Sequence, residues 1–113
     1  VAGLYDSFHP AVLAALQQVV DAAHSENCPV SVCGEMAGNP KGAVLLMAMG
    51  YDMLSMNAAN IPRVKNVIRS MDLNFSQSLL AKVMEQDCPK IISSTVELAL
   101  KKLGQGHMLG PGK

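Results

Sequence analysis

The stretch that decides the fold is VSVCGE at residues 30–35, a short apolar run that stops at Gly34. Its length and its β-branched valines are typical of a buried strand in a parallel sheet. A similar run, MLSM at residues 53–56, predicts a second strand of the same kind. Helical patterns flank both runs, so the sequence predicts an α/β fold in which helices alternate with parallel strands.

Three helices are predicted around these strands. The first begins at Pro10 and ends near residue 25. The second begins with Asn39 as N-cap and Pro40 in the first turn, and Gly50 ends it. The third covers residues 60–69. The predicted buried face of the first helix consists of Val12, Leu13, Leu16, Val19, Val20 and Ala23.

Two strands alone make a poor parallel sheet, because stable parallel sheets are covered on both faces. We therefore interpret the chain as the closing part of a larger α/β fold, an interpretation that its start at Val1 rather than at Met also suggests. From Ser76 onward the pattern is helical again, with a break at Cys88 and Pro89. The Gly- and Pro-rich residues 104–113 predict a flexible tail.

The composition excludes several classes of protein. Nine Lys plus Arg balance nine Asp plus Glu, half of the 113 residues are apolar, and 16% are charged. Disorder and a basic nucleic-acid-binding face are therefore not expected, and neither is a membrane span or a signal peptide. A small domain buries a smaller share of its surface than a large one. A small apolar chain with few charges is therefore expected either to self-associate or to be part of a larger protein.

The three cysteines predict a reduced, cytoplasmic protein. Their number is odd, and Cys28, Cys33 and Cys88 show neither the pairing of a disulfide framework nor C-x-x-C spacing. No histidine stands at ligand spacing from a cysteine, so no zinc site is expected.

Cys33 is the most informative candidate. It ends a predicted parallel strand, at the edge where α/β folds build their active sites, and Gly34 would let a ligand approach closely. A thiol there could donate a proton, although a small buried hydrophobe is the alternative. Glu35 could act as a general acid or base, or serve only as a loop carboxylate.

Other polar residues have simpler interpretations. His9 could accept a phosphoryl group, but its place before Pro10 favours a helix start. Arg63, Lys65 and Arg69 could bind phosphate, but their spacing favours a solvated helix face.

Three motifs in order carry a family resemblance. VCGEMAG at residues 32–38, LSMN at 54–57 and IPRVK at 61–65 resemble the C-terminal part of enzyme I of the phosphoenolpyruvate-dependent phosphotransferase system. Residues 4–13 and 46–52 resemble the nitrogen-branch paralogue of that enzyme most. The resemblance is close over residues 4–70 and looser beyond them.

This resemblance implies a fold. The chain would supply the C-terminal part of a (β/α)8 TIM-like barrel, about strands seven and eight with their flanking helices, plus a helical C-terminal extension. Residues 1–70 would be the last βα units of a domain that binds phosphoenolpyruvate (PEP). Residues 71–103 would be C-terminal helices of the same domain, and residues 104–113 a flexible tail.

The resemblance also implies an activity, that of a PEP–protein phosphotransferase. A histidine on an upstream domain would take the phosphoryl group and pass it to a histidine phosphocarrier protein. Cys33 would protonate the pyruvate enolate, while Gly34 and Glu35 would bind substrate. Mg²⁺ would stabilise the enolate from ligands upstream, with no metal ligand in this segment. The enzyme would be a cytoplasmic homodimer through its barrel domain, without nucleic-acid or membrane partners, and the isolated fragment would be inactive.

Two alternatives remain open at this point. A pyruvate phosphate dikinase-like enzyme also carries a C-G-E element in such a barrel, although its flanking residues fit less well. The chain could instead be a non-catalytic module whose apolar surface mediates dimerisation or binds a regulator.

Overall fold

The computed structural model describes residues 8–103, which form six helices and two strands with short connections. The bounds are α1 (Pro10–Ser25), β1 (Ser31–Cys33), α2 (Glu35–Gly38), α3 (Pro40–Met49), β2 (Met53–Ser55), α4 (Ile61–Arg69), α5 (Leu73–Met84) and α6 (Pro89–Lys102). A 3₁₀ turn at Ala58–Asn60 precedes α4. The expected α/β character is confirmed, whereas an eight-stranded barrel is not seen in these residues. The predicted tail at 104–113 lies outside the described residues.

The two strands pair in parallel, with Val32 opposite Leu54 and Cys33 opposite Ser55. Val32 and Leu54 are half-buried and pack against the hydrophobic core under the helices. The residues on the opposite face are exposed, so the prediction of a buried strand is wrong for one face of each strand. The physical reason is that the described helices cover a single face of this sheet.

Caps on the first and second predicted helices define their ends. Nδ1 of His9 accepts a hydrogen bond from the backbone N–H of Ala11, 3.0 Å away, so His9 is the N-cap of α1. The Asn39 side chain accepts from Lys41 N in the same manner at α3. Gly50 ends α3 in the left-handed region, with φ at 108°. The predicted starts of both helices are thus confirmed, together with the capping function of His9.

Helix α3 lies at the centre of the molecule and is buried along most of its length. Helices α1, α2, α4, α5 and α6 all contact it. Gly42 of α3 allows α2 to approach closely, because a Cβ atom there would lie 2.3 Å from the carbonyl oxygen of Met36. The helix that follows Cys33 is therefore seated directly on the central helix.

Helix α1 is covered less completely than its apolar spacing predicts. Leu13 and Val20 are buried against the core, but Val19 on the same predicted face is 53% exposed. The apolar stripe is wider than the surface that α3 and α5 offer to it. Val12 is also exposed for this reason.

The last two helices pack onto the earlier part of the chain. Asp72 caps α5 by accepting from Phe75 N at 2.7 Å, so this helix starts slightly before the predicted Ser76. Nζ of Lys41 in α3 donates to Oγ of Ser93 in α6 at 2.8 Å. The division of the chain near residue 70 stays a prediction. Among residues 8–103, no helix is both long and apolar enough to cross a membrane.

Candidate functional site

A cavity of about 410 Å³ opens at the carboxyl ends of the two strands. Because the strands are parallel, the loop after β1 and the loop after β2 meet at this edge. In open α/β sheets this is the edge at which ligands bind. The residues that line the cavity are Cys33, Gly34, Glu35, Ser55, Met56, Asn57 and Asn60.

Cys33 is the last residue of β1, and its side chain is exposed on the face that the helices leave uncovered. The alternative of a small buried hydrophobe is therefore wrong for the described part of the chain. Gly34 follows with φ at 112° and ψ at −165°, a backbone conformation open almost only to glycine. This glycine turns the chain sharply from β1 into α2 and leaves the thiol at the cavity wall.

Glu35 is the first residue of α2 and is exposed at the cavity. Its carboxylate makes no hydrogen bond or ion pair with another residue of the range 8–103. The carboxylate is thus open to a ligand, and the geometry places all three predicted site residues, Cys33, Gly34 and Glu35, around one cavity.

The second strand contributes polar residues that the sequence reasoning did not single out. Ser55 ends β2 beside Cys33, and Asn57 and Asn60 follow in the loop. Their position directly after the second predicted strand is the signal that could have identified them, because carboxyl ends of neighbouring parallel strands share one edge.

The other candidates do not join this cavity. Lys65 and Arg69 are exposed on α4, as a solvated helix face predicts, whereas Arg63 is half-buried there. Cys88 is half-buried before α6. Within the described residues, no three His, Cys, Asp or Glu side chains cluster closely enough to hold a metal ion.

The opposite, amino end of the sheet has a different construction. The Asp52 carboxylate, just before β2, accepts hydrogen bonds from Nε2 of His24 at 2.9 Å and from the backbone N–H of Val30 at 2.8 Å. These bonds, that from His24 foremost, lower the pKa of Asp52 below its ordinary value. Cys28 is exposed beside this pair and lines a shallow depression with it.

Next to Asp52, the side chain of Tyr51 connects the loop between α3 and β2 to α1. Its hydroxyl donates to the carbonyl of Leu16 at 2.8 Å, and partial burial raises the pKa of this phenol. The amino end of the sheet is therefore held by contacts between side chains and neighbouring elements.

The fold and the cavity define the class of protein, an α/β chain with an exposed thiol at the carboxyl edge of a parallel sheet. The sequence comparison specifies the class further. Residues 1–73 match the family model described as PEP-utilising enzyme, PEP-binding domain. The chain belongs to this family of PEP-utilising enzymes.

Individual relatives agree with this family. The chain is 34% identical over 112 residues, 99% of its length, to a Salmonella typhimurium protein named phosphoenolpyruvate-dependent phosphotransferase system. It is 34% identical over 97 residues, 86% of its length, to the phosphoenolpyruvate-protein phosphotransferase of Haemophilus influenzae. The identity to the Haloferax volcanii protein of that name is 38% over 98 residues, 87% of the chain. The aligned region spans 15%, 17% and 17% of these three relatives.

Proposed function

We propose that the chain is the closing segment of the PEP-binding barrel in a PEP–protein phosphotransferase, and that Cys33 is its proton donor. The observation that carries this proposal is the exposed thiol of Cys33 at the carboxyl end of β1, in a cavity that β2 shares. The names of the relatives supply the reaction, in which the phosphoryl group of PEP is transferred to a protein.

The chemistry asked of Cys33 is the transfer of one proton. When the phosphoryl group leaves PEP for a histidine on an upstream domain, an enolate of pyruvate remains. The Cys33 thiol gives its proton to the methylene carbon, which forms a C–H bond and leaves a thiolate that regains a proton from water. In the reverse direction the thiolate removes that proton. Such a positioned proton donor contributes about 10²- to 10⁴-fold to a rate.

The residues around Cys33 suit this step. Gly34 keeps the cavity wall free of a side chain next to the thiol, and Glu35 and Ser55 provide polar groups around it. We place Gly34 and Glu35 among the substrate-binding residues, because they directly follow Cys33 and line the cavity with it.

The family resemblance implies that the enzyme uses a Mg²⁺ ion, which would stabilise the negative charge on the enolate oxygen. Glu35 is the single carboxylate among the described residues of the cavity, and no three His, Cys, Asp or Glu side chains of the range 8–103 cluster closely enough to hold an octahedral Mg²⁺ ion. The described residues therefore do not form this site, and we assign the Mg²⁺ ligands to the barrel strands that precede the chain in the full-length protein.

The whole enzyme would act with further partners. We propose a histidine phosphocarrier protein as the acceptor, a cytoplasmic location and, from residues 4–13 and 46–52, the nitrogen branch of the system. A homodimer through the barrel domain is supported by large apolar side chains that remain exposed, among them Leu73, Ile91 and Leu98. Phosphoryl transfer to a nitrogen-branch carrier in preference to a sugar-branch carrier would test the branch, and sedimentation would test the dimer.

The decisive experiment is pyruvate release by the full-length protein with PEP, Mg²⁺ and phosphocarrier. Cys33→Ala should reduce the rate by about 100-fold or more, since the proton donor is lost, while PEP binding is retained. Cys28→Ala is the matched control, because this exposed cysteine lies at the other end of β1. Equal rates in wild type and Cys33→Ala would overturn the proposal. The 113-residue chain alone should release no pyruvate, and turnover by it would contradict the assignment of the Mg²⁺ ligands to the rest of the barrel.

A further inference from the structure

Asn60, another residue of the cavity, has a carboxamide that the described elements do not use. It is the last residue of the 3₁₀ turn Ala58–Asn60, which runs directly into α4. Here its backbone is helical, with φ at −88° and ψ at −17°, and its side chain makes no cap hydrogen bond. Because a capping residue has a non-helical backbone, the carboxamide of Asn60 does not cap α4.

The Asn60 carboxamide lies instead against α2, in space that Gly38 leaves empty. A Cβ atom on Gly38 would lie 2.8 Å from Nδ2 of Asn60 and 3.5 Å from its Cγ. Gly38 is buried and Asn60 is half-buried, so the amide is held between the loop after β2 and the helix after Cys33. The absence of a side chain at Gly38 therefore gives the Asn60 carboxamide room beside α2.

The polar atoms of this amide are nevertheless unused within the described residues. The backbone N–H of Asn60 donates to the carbonyl of Asn57 at 2.9 Å, but its side chain forms no hydrogen bond with any other residue in the range 8–103. An amide whose donors are unused can bind a ligand without first breaking an internal hydrogen bond. Since Asn60 lines the same cavity as Cys33, that ligand would be the substrate of Cys33.

The geometry points to Asn60 as a substrate-contacting residue that donates a hydrogen bond to the carboxylate of the three-carbon acid, across the cavity from the Cys33 thiol. This inference rests on the proposed function and adds a contact from the second strand to it. A neutral amide suits the task because it offers N–H donors to an anion without adding a positive charge beside a thiol that must keep its proton. The carboxylate is present in PEP, enolate and pyruvate alike, so the contact would act on binding throughout the reaction.

The test measures KM and kcat for PEP with the full-length protein. Asn60→Ala should raise KM by about 10-fold, the effect of losing a hydrogen bond to a charged group, with kcat within about 2-fold of wild type. Asn60→Asp should raise KM further, because its negative charge faces the anionic substrate. Asn74→Asp on α5 introduces the same charge outside the cavity and should leave both constants unchanged.

A double variant separates a substrate contact from a merely structural one. Gly38→Ala should also raise KM, because its Cβ displaces the Asn60 carboxamide, but in the Asn60→Ala background it should add less than about 2-fold. A KM in Asn60→Ala within about 2-fold of wild type would overturn the inference, as would a fall in kcat with unchanged KM.

Should Asn60→Asp fail to fold, Asn60→Ala decides the matter, because it removes no hydrogen bond seen in the described residues. A wild-type enzyme inactive toward PEP would overturn the proposed function, and this inference with it, whereas an active wild type with unaffected Asn60 variants would overturn the inference alone.

Discussion

The two ends of the short sheet are stabilised in different ways. At the amino end, the Asp52 carboxylate bonds to His24 and to the backbone of Val30, so polar side chains satisfy one another. At the carboxyl end, the side chains of Cys33 and Glu35 make no hydrogen bond with other residues of the range 8–103. The backbone there is shaped by glycines instead, with positive φ at Gly34 and close helix contact at Gly42.

This difference fits the proposed function, which places the chemistry at the carboxyl end. A polar group already paired within the protein stabilises the fold but offers little to a ligand, whereas an unpaired one at a cavity can bind. In barrel enzymes of the α/β class, the amino face serves stability and the carboxyl face carries the chemistry. Substitutions of glycine should therefore disturb the carboxyl end most, and substitutions of polar side chains the amino end.

The largest effect on stability is expected from Gly42→Ala. Its Cβ would lie 2.3 Å from the carbonyl oxygen of Met36, so α2 must move away from α3. We expect a loss of about 3 kcal/mol in the free energy of unfolding, measured by urea denaturation. A gain of about 1 kcal/mol, the usual result of replacing glycine by alanine inside a helix, would show that α2 moves freely and that the contact is unimportant.

A smaller loss is expected from Gly34→Ala. No atom lies within 4 Å of the added Cβ, so the cost comes from the backbone conformation alone. At φ of 112° this strain amounts to about 2 kcal/mol, readable in the same denaturation experiment. An unchanged midpoint would mean that the turn after Cys33 relaxes to an ordinary conformation, and that glycine is not what shapes this end.

At the amino end, Asp52→Ala should lower the stability at neutral pH by less than either glycine substitution, because the hydrogen bonds that it removes are solvent-exposed. The pKa of Asp52 is lowered in the folded protein. Its contribution is therefore full above the ordinary carboxyl value of about 4 and disappears as the pH falls through the lowered value. Denaturation curves of both proteins should differ at pH 7 and converge in strong acid. A difference that stays constant with pH would show that the charge of Asp52 is not involved.

The smallest effect on stability is expected from Cys33→Ala, although this substitution should be the most damaging to pyruvate formation. The thiol is exposed and forms no hydrogen bond with another described residue. The free energy of unfolding should therefore stay within about 0.5 kcal/mol of the wild-type value. A clear loss of stability would mean that the carboxyl end also depends on its side chains, which would remove the contrast between the two ends.

Local signals in the sequence predicted much of this fold. Proline and asparagine near helix starts and Gly50 at a helix end placed α1, α3 and α4 correctly, because caps and terminators act within a few residues. The place of Cys33 at the end of a strand was predicted because the apolar run of residues 30–33 stops at Gly34. The four residues of α2 have no periodicity to recognise, so this helix was not predicted.

Contacts between distant residues were not accessible from the pattern. The pair of His24 and Asp52 joins residues from two separate elements, and no local rule links them. The proximity of Gly42 to Met36 depends on how two helices pack, and the uncovered face of the sheet depends on which helices are present. Asn57 and Asn60 could have been identified from their place after the second predicted strand, but which other residues share the cavity with them depends on the pairing of the two strands.

Strand β1 has one further property, since an exposed cysteine stands near each of its ends, with Cys28 before it and Cys33 at its finish. A fluorophore or spin label attached to one of these thiols, with the other and Cys88 replaced by alanine, would report on one edge of the sheet. A ligand in the cavity should lower the rate at which Cys33 is alkylated, whereas the rate for Cys28 should not change. The molecule therefore carries its own pair of reporter positions, through which occupancy of the site can be followed without any assay of turnover.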